Sequence, residues 1–300
     1  MTTTDLDPTR VDRYPSRHGG SASLTERPDP VVWGDGRGDA LTAEQVAAFD
    51  RDGYLHLTGV LSADEVAELY AEVDRLAADP EVRAAERTIV ELDSDEVRSV
   101  FEIHHDGPLG RLANDRRLVG VARQLLGSDV YIHQSRVNLK PGFRGKEFAW
   151  HSDFETWHTE DGMPRPRAVS ASVALTDNVH TNGPLMVIAG SHRMFVACPG
   201  ETPPDHHRAS LRRQEVGVPD DESLAALAAE GEIRDVVGPA GSVTFFDCNL
   251  MHGSNGNITP MERRNAFLVF NSVENAVEEP FAAPAPRPSH IASRSFEPVG

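Results

Sequence analysis

The chain has 300 residues, is 39% hydrophobic, and carries a formal charge of −18 from 47 acidic and 29 basic side chains. That length can bury a full core, as one large domain or two small ones, while the charge disfavours nucleic acid and anionic membranes as partners. No apolar run reaches the roughly eighteen residues of a membrane span, and the first residues lack the apolar segment of a secretion signal.

Residues 1–40, rich in Pro, Gly, Arg and Asp, read as an extended arm. Residues 41–300 read as a single domain. Thr42-Ala43-Glu44-Gln45 fits a capping box and opens a helix carried by Val46 and Phe49, which Asp52-Gly53 stops. Tyr54–Leu57 reads as a short strand. Ser62-Ala63-Asp64-Glu65 is a second capping box, and Val66, Leu69, Val73 and Leu76 keep helical spacing behind it, so 63–78 is an amphipathic helix. Ile89–Leu92 has strand composition, and 96–103 fits a strand or a turn of helix. Leu109–Leu126 reads as helix, interrupted near Asn114 and ended by Gly127.

From Val130 the period becomes two. Val130, Ile132, Gln134, Arg136, Asn138 and Lys140 share one strand face; Tyr131, His133, Ser135, Val137 and Leu139 share the other. Ala168–Leu175 is small and apolar enough for a central strand, and Leu185–Ile188 is a short one ended at Gly190. Residues 199–220 lack periodicity and read as a mobile loop. Residues 223–229 form a short helix. Ser242–Asp247 and Ala266–Phe270 are strands, and the Pro-rich tail from Glu279 is extended. Helices first, then many short strands with Gly/Pro turns, give a mainly β fold: a double-stranded β-helix (jelly roll, cupin-like) core with N-terminal helices. No nucleotide-binding glycine motif follows any strand. Cys198 and Cys248 show no C-x-x-C pattern and suit a reducing cytoplasm.

The densest chemistry lies in residues 148–164, where four aromatics and two histidines sit among four carboxylates. His151-x-Asp153 on a strand would point an imidazole and a carboxylate the same way. With a distant histidine they make a 2-His-1-carboxylate triad, the set that leaves open positions on non-haem Fe(II). His252, before Gly253-Ser254, is that histidine. The pair alone also describes a surface or capping pair; the third member and its surroundings select the metal. Arg263 follows at the start of the last strong strand. An exposed arginine flanking a strand is one reading. A guanidinium buried near the metal, and so needing an anion, is the other. A dicarboxylate cosubstrate would chelate the metal at one end and meet Arg263 and Ser254 at the other.

These motifs resemble those of Fe(II)/2-oxoglutarate-dependent dioxygenases of the phytanoyl-CoA hydroxylase type, and most closely the branch that hydroxylates ectoine. The segments that carry the resemblance are Phe148-x-Trp150-His151-Ser152-Asp153-Phe154-Glu155-Thr156-Trp157-His158-x-Glu160-Asp161-Gly162-Met163-Pro164, then Met251–Asn255, then Asn271–Asn275. It spans about residue 11 to the C-terminus. The spaced triad indicates only the superfamily; the long segment is specific to the branch. Relatives with a small residue at the carboxylate position halogenate, so Asp153 implies hydroxylation.

The resemblance implies His151, Asp153 and His252 as Fe(II) ligands. It implies Arg263, Ser254, Lys140, Asn138 and Phe148 around 2-oxoglutarate, and O2 as the second cosubstrate. For ectoine, a cationic ring with a carboxylate, it implies Gln134, Trp157, Phe246, Asn265, Phe267 and Arg287, with Arg294 as the alternative to Arg287. Aromatic faces would hold the ring by cation–π attraction of about 0.5–2 kcal/mol. A homodimer and a role in osmoprotection also follow from the resemblance. His104, His105, His192, His206, His207 and His290 read as surface or structural, and His158 as a loop residue near the triad. Two other readings stay open: a dioxygenase for another small amino-acid-like substrate, and a non-catalytic cupin-like protein that binds metal for structure.

Overall fold

The computed structural model describes residues 11–91, 94–211 and 215–300. Its strands are β1 (Ser23–Glu26), β2 (Tyr54–Leu57), β3 (Thr88–Val90), β4 (Val97–Phe101), β5 (Val130–Lys140), β6 (Phe148–His151), β7 (Ala168–Ala174), β8 (Leu185–Ile188), β9 (Met194–Ala197), β10 (Ile233–Val236), β11 (Val243–Asp247), β12 (His252–Ser254) and β13 (Arg263–Ser272). Its α-helices are α1 (Ala43–Asp52), α2 (Ala63–Ala78), α3 (Pro80–Ala84), α4 (Gly107–Ala113), α5 (Arg116–Leu126), α6 (Asp153–Thr156), α7 (His207–Ser210) and α8 (Asp221–Glu230), and a π-helix (Trp157–Asp161) continues α6.

The N-terminal helices begin where their caps demand. Thr42 and Ser62 each accept from the third helical backbone N–H, and Gln45 and Glu65 reach back to close both capping boxes. Gly53 ends α1 at a φ of 80°, a left-handed conformation that glycine adopts without cost.

Two antiparallel sheets face each other, as the strand pattern implied. The larger runs β2-β11-β7-β13-β5-β4-β3, the smaller β10-β8-β12-β6, and β1 pairs with β9 apart from both. The outer face of the large sheet meets α2 and α5. Val100, Val137, Ala171, Val173, Phe245, Leu268 and Phe270 pack there with Val73, Leu118, Val121 and Leu125. The inner face carries polar and aromatic residues: Gln134, Arg136, Asn138 and Lys140 on β5, and Asn265 and Phe267 on β13. Phe246 and Phe267 pack with Leu185, Val187 and Val236 of the smaller sheet, which closes the sandwich.

Strict alternation along β5 does not hold. Its partners on β13 jump from Val269 opposite Gln134 to Phe270 opposite Ile132, so His133 is an inserted bulge residue. Val130 and Ile132 therefore pack on the helix side with Val137, while Gln134 to Lys140 keep the inner face in steps of two. The short strands β1, β9, β10 and β12 did not stand out in the sequence. The 199–220 stretch, read as irregular, contains α7. Residues 11–40 lie against the domain: Tyr14, Ser16 and Arg17 are buried, and Arg27 Nη1 donates to both carboxylate oxygens of Asp247 at 2.9 Å. Leu92, residues 1–10 and residues 212–214, which the strand, arm and loop readings include, fall outside the described residues.

Candidate active site

The two histidines of the triad are direct neighbours across a strand pair. His151 ends β6 and faces His252 at the start of β12, with ring centroids 4.2 Å apart. Strand alternation does not deliver Asp153, because β6 stops at His151. The chain turns at Ser152, and Asp153 is the first residue of α6. That turn folds the carboxylate back, placing Oδ1 3.7 Å from His151 Nε2 and Oδ2 3.8 Å from His252 Nε2. One ligand atom from each residue lies within 4.8 Å of the other two.

The imidazoles are oriented for a metal. His151 Nδ1 donates to the carbonyl of Ala149 and His252 Nδ1 to that of Leu250, each at 2.9 Å. This leaves both Nε2 lone pairs aimed at a common point, the second-layer arrangement that metal-binding histidines use. Burial first, and the neighbouring His252 second, push the His151 imidazole down to about 3, so it is neutral and able to ligate near neutral pH. Two neutral imidazoles and one carboxylate fit a divalent iron with open positions.

A cluster of cations lies along the same cavity. Arg263 begins β13 opposite Lys140 at the end of β5. Lys140 Nζ donates to Ser254 Oγ at 2.9 Å and to the Asn255 carbonyl at 2.5 Å. Arg263 Nη2 donates to Asn138 Oδ1 at 3.4 Å, and its buried Nε has no partner among the described residues. Burial, then Arg263 and Arg98, push Lys140 down to about 6; burial, then Arg136 and Arg98, push Arg263 down to about 10. A buried group with this much positive charge calls for an anion. Glycines hold the lysine in place: a Cβ on Gly145 would lie 2.2 Å from Lys140 Cγ, and one on Gly183 2.9 Å from its Cδ.

Asn138, Phe148, Ser254, Arg263 and Phe267 line one cavity with His151 and His252, and Lys140 lines the adjoining one. Phe148 meets the His151 ring edge-on at 4.9 Å. The other residues implied for substrate are absent from that lining. Phe246 lies 5.1 Å from the His252 ring, Gln134 donates to the Ile291 carbonyl at 2.8 Å, and Asn265 donates to Ser172 at 2.9 Å. Trp157 is buried with Tyr14, Phe154 and Phe195, edge-on to His133. Arg287 is bidentate to the buried Asp161 at 2.7 and 2.5 Å, and Arg294 donates to the Asp161 carbonyl at 3.1 Å.

Two cavity cations, Arg136 and Arg98, went unassigned in the sequence. Arg136 lines the cavity, stands 5.2 Å over the Phe267 ring, and keeps a buried Nε without a partner among the described residues. Its place on one face with Gln134, Asn138 and Lys140 was the available signal. Arg98 and Leu211, also in the lining, left no local signal. Of the histidines read as structural, His192 Nε2 donates to the Asp50 carbonyl at 3.0 Å and His206 meets Glu160; both are buried. His158 lies 2.8 Å from the Met163 carbonyl with Phe281 stacked on its ring.

Comparison with known proteins agrees with this geometry. The phytanoyl-CoA dioxygenase (PhyH) family profile matches residues 49–265. An ectoine dioxygenase of Nocardia farcinica is 57% identical over 297 residues, 98% of each chain. One of Sphingopyxis alaskensis is 57% identical over 285 residues, covering 94% of this chain and 93% of that one. The crystal structure of EctD from S. alaskensis with 2-oxoglutarate and 5-hydroxyectoine superposes with a TM-score of 0.86 at 53% identity over 96% of both chains. The same protein with bound Fe gives 0.86 at 51% identity over 97% of this chain and 98% of that one. The chain belongs to the phytanoyl-CoA dioxygenase family, in its ectoine dioxygenase branch.

Proposed function

We propose that the protein hydroxylates ectoine: ectoine, 2-oxoglutarate and O2 become 5-hydroxyectoine, succinate and CO2. The observation that carries this is the His151–Asp153–His252 triad beside a buried, anion-seeking cation cluster, in a chain 53% identical to a protein solved with 2-oxoglutarate and 5-hydroxyectoine. Fe(II), held by the triad, supplies the activation of O2 that couples decarboxylation of the 2-oxo acid to oxidation of the substrate.

In this reading Arg263, Ser254, Lys140 and Asn138 hold the far carboxylate of 2-oxoglutarate, and Phe148 walls it. Phe246 and Phe267, near the His252 ring, give the substrate an apolar face, with Gln134 and Asn265 as polar contacts. Trp157 and Arg287 stay candidates through the resemblance. Because Arg287 is bound to Asp161, a substrate carboxylate would share it, and Arg136 is the cation already facing the cavity.

We also propose cytoplasmic compatible-solute biosynthesis, serving osmoprotection, by a homodimer whose catalytic domain is residues 41–300, with residues 1–40 as its arm. Free, buried Cys198 and Cys248 support a reducing compartment, and no described helix is long and apolar enough to cross a membrane.

The test is product identity by NMR from purified protein supplied with Fe(II), 2-oxoglutarate, O2 and ectoine. 5-Hydroxyectoine is expected, and it should vanish when a chelator removes the iron. Product that persists without iron, or a different hydroxylated site, would overturn the reading.

A further inference from the structure

Asp153 is poorly held by its own side chain. Among the described residues its carboxylate has no hydrogen-bond partner, and its oxygens face the two imidazoles at 3.7 and 3.8 Å. Its position therefore depends on the backbone that follows, α6 and the π-helix. π-Helices are uncommon and are found frequently at functional sites. Yet this segment buries Glu155 and Glu160, two carboxylates that neither the metal nor the cation cluster uses.

The support comes from the N-terminal segment. Arg17 grips Glu155 with two parallel bonds, Nε to Oε1 at 2.9 Å and Nη2 to Oε2 at 2.6 Å, while Ser16 Oγ donates to the same Oε1 at 2.6 Å. The third Arg17 nitrogen, Nη1, donates to Glu160 Oε1 at 2.5 Å, and His206 Nδ1 lies 2.8 Å from that oxygen. Arg17 and Glu155 side chains are 0% and 1% exposed. Gly217 leaves them room, because a Cβ there would sit 2.1 Å from Arg17 Nη2 and 2.6 Å from Glu155 Oε2. Arg17 adopts a φ of 60°, costly for a residue with a side chain. Such conformations persist where surrounding contacts over-determine them, and they cluster at functional sites.

A buried ion pair of this kind adds little net stability compared with an apolar filling. Planar, bidentate geometry does fix position. We propose that Arg17 is a positioning residue for the metal centre: by clamping Glu155 and Glu160 it sets the backbone that presents Asp153 to the ion. The inference rests on the Fe(II) reading of the triad.

The experiment is anaerobic calorimetric titration of Fe(II) into variants, at a temperature where circular dichroism shows each to be folded. Arg17→Met leaves two buried carboxylates without their guanidinium, with Ser16 and His206 as their remaining partners, so it is matched with Arg17→Met/Glu155→Gln/Glu160→Gln, which removes both charges. Both are expected to lose about tenfold or more in Fe(II) affinity, the range for removing outer-layer support of a ligand. Arg17→Lys keeps the charge but cannot form the fork, should lose less, and carries the test if Arg17→Met does not fold. Folded variants, Arg17→Lys included, that bind Fe(II) as the wild type does would overturn the clamp. So would a triple variant restored to wild-type affinity, because unpaired charge and not position would then be the cause. A wild type that fails to bind Fe(II) would instead overturn the metal reading itself.

Discussion

Lys140 is the residue whose chemistry depends most on what occupies the cavity. With no carboxylate paired to it, burial and the nearby Arg263 and Arg98 leave it deprotonated above about pH 6. A bound carboxylate favours the ammonium, so at neutral pH binding 2-oxoglutarate takes up a proton. Affinity for the cosubstrate is then expected to fall as pH rises above about 6, by up to about tenfold per unit, until the bound-state pKa is passed. Anaerobic binding measured from neutral to mildly alkaline pH checks the slope, and Lys140→Met should flatten it. Arg263 differs, since even its lowered value of about 10 keeps it charged near neutral pH. Arg263→Ala should therefore raise the 2-oxoglutarate KM by roughly two orders of magnitude, in line with a lost buried charge pair of about 3 kcal/mol, with little change for ectoine. The reverse ordering in steady-state kinetics would move Arg263 to the substrate.

At the scale of elements, the helices depend on local chemistry and the site strands do not. Removing the cap with Ser62→Ala should cost about 1 kcal/mol, visible as a lower midpoint in urea unfolding, with kcat unchanged because α2 lies on the outer face of the large sheet. That locality is why α1 and α2 could be bounded from sequence through Thr42, Gln45, Ser62 and Glu65. The smaller sheet was harder to read. β10 has four residues and β12 three, and their pairing partners lie far away in the chain. The H-x-D pattern picked residues that do converge, for a reason that the structure replaces, since a turn at Ser152 and not strand alternation brings Asp153 round. The bulge at His133 left no mark, because an inserted residue shows only against the partner strand. Arg17 was hidden in the same way: its carboxylates lie 138 and 143 residues further on.

Across the whole molecule, the acidic surface and the basic cavity divide the charge. The protein carries −18 overall, yet Arg98, Arg136 and Arg263 gather around the cavity that holds His151 and His252. A focused positive potential of this kind raises the local concentration of a dianion. The large sheet separates that cavity from the apolar core beneath the helices. Leu118→Ala in that core should lower stability by about 2–5 kcal/mol, while the KM values of the folded enzyme stay at wild-type level; matched thermal unfolding and kinetics check both. The central claim is that one iron site couples the two oxidations, and the most direct measurement follows succinate and 5-hydroxyectoine together, with and without ectoine, in wild type and Asp153→Ala. Equal formation of both products in the wild type, dependent on ectoine and lost in Asp153→Ala, is the expected result. Near-normal hydroxylation by Asp153→Ala, or succinate formed at the same rate without ectoine, would contradict it.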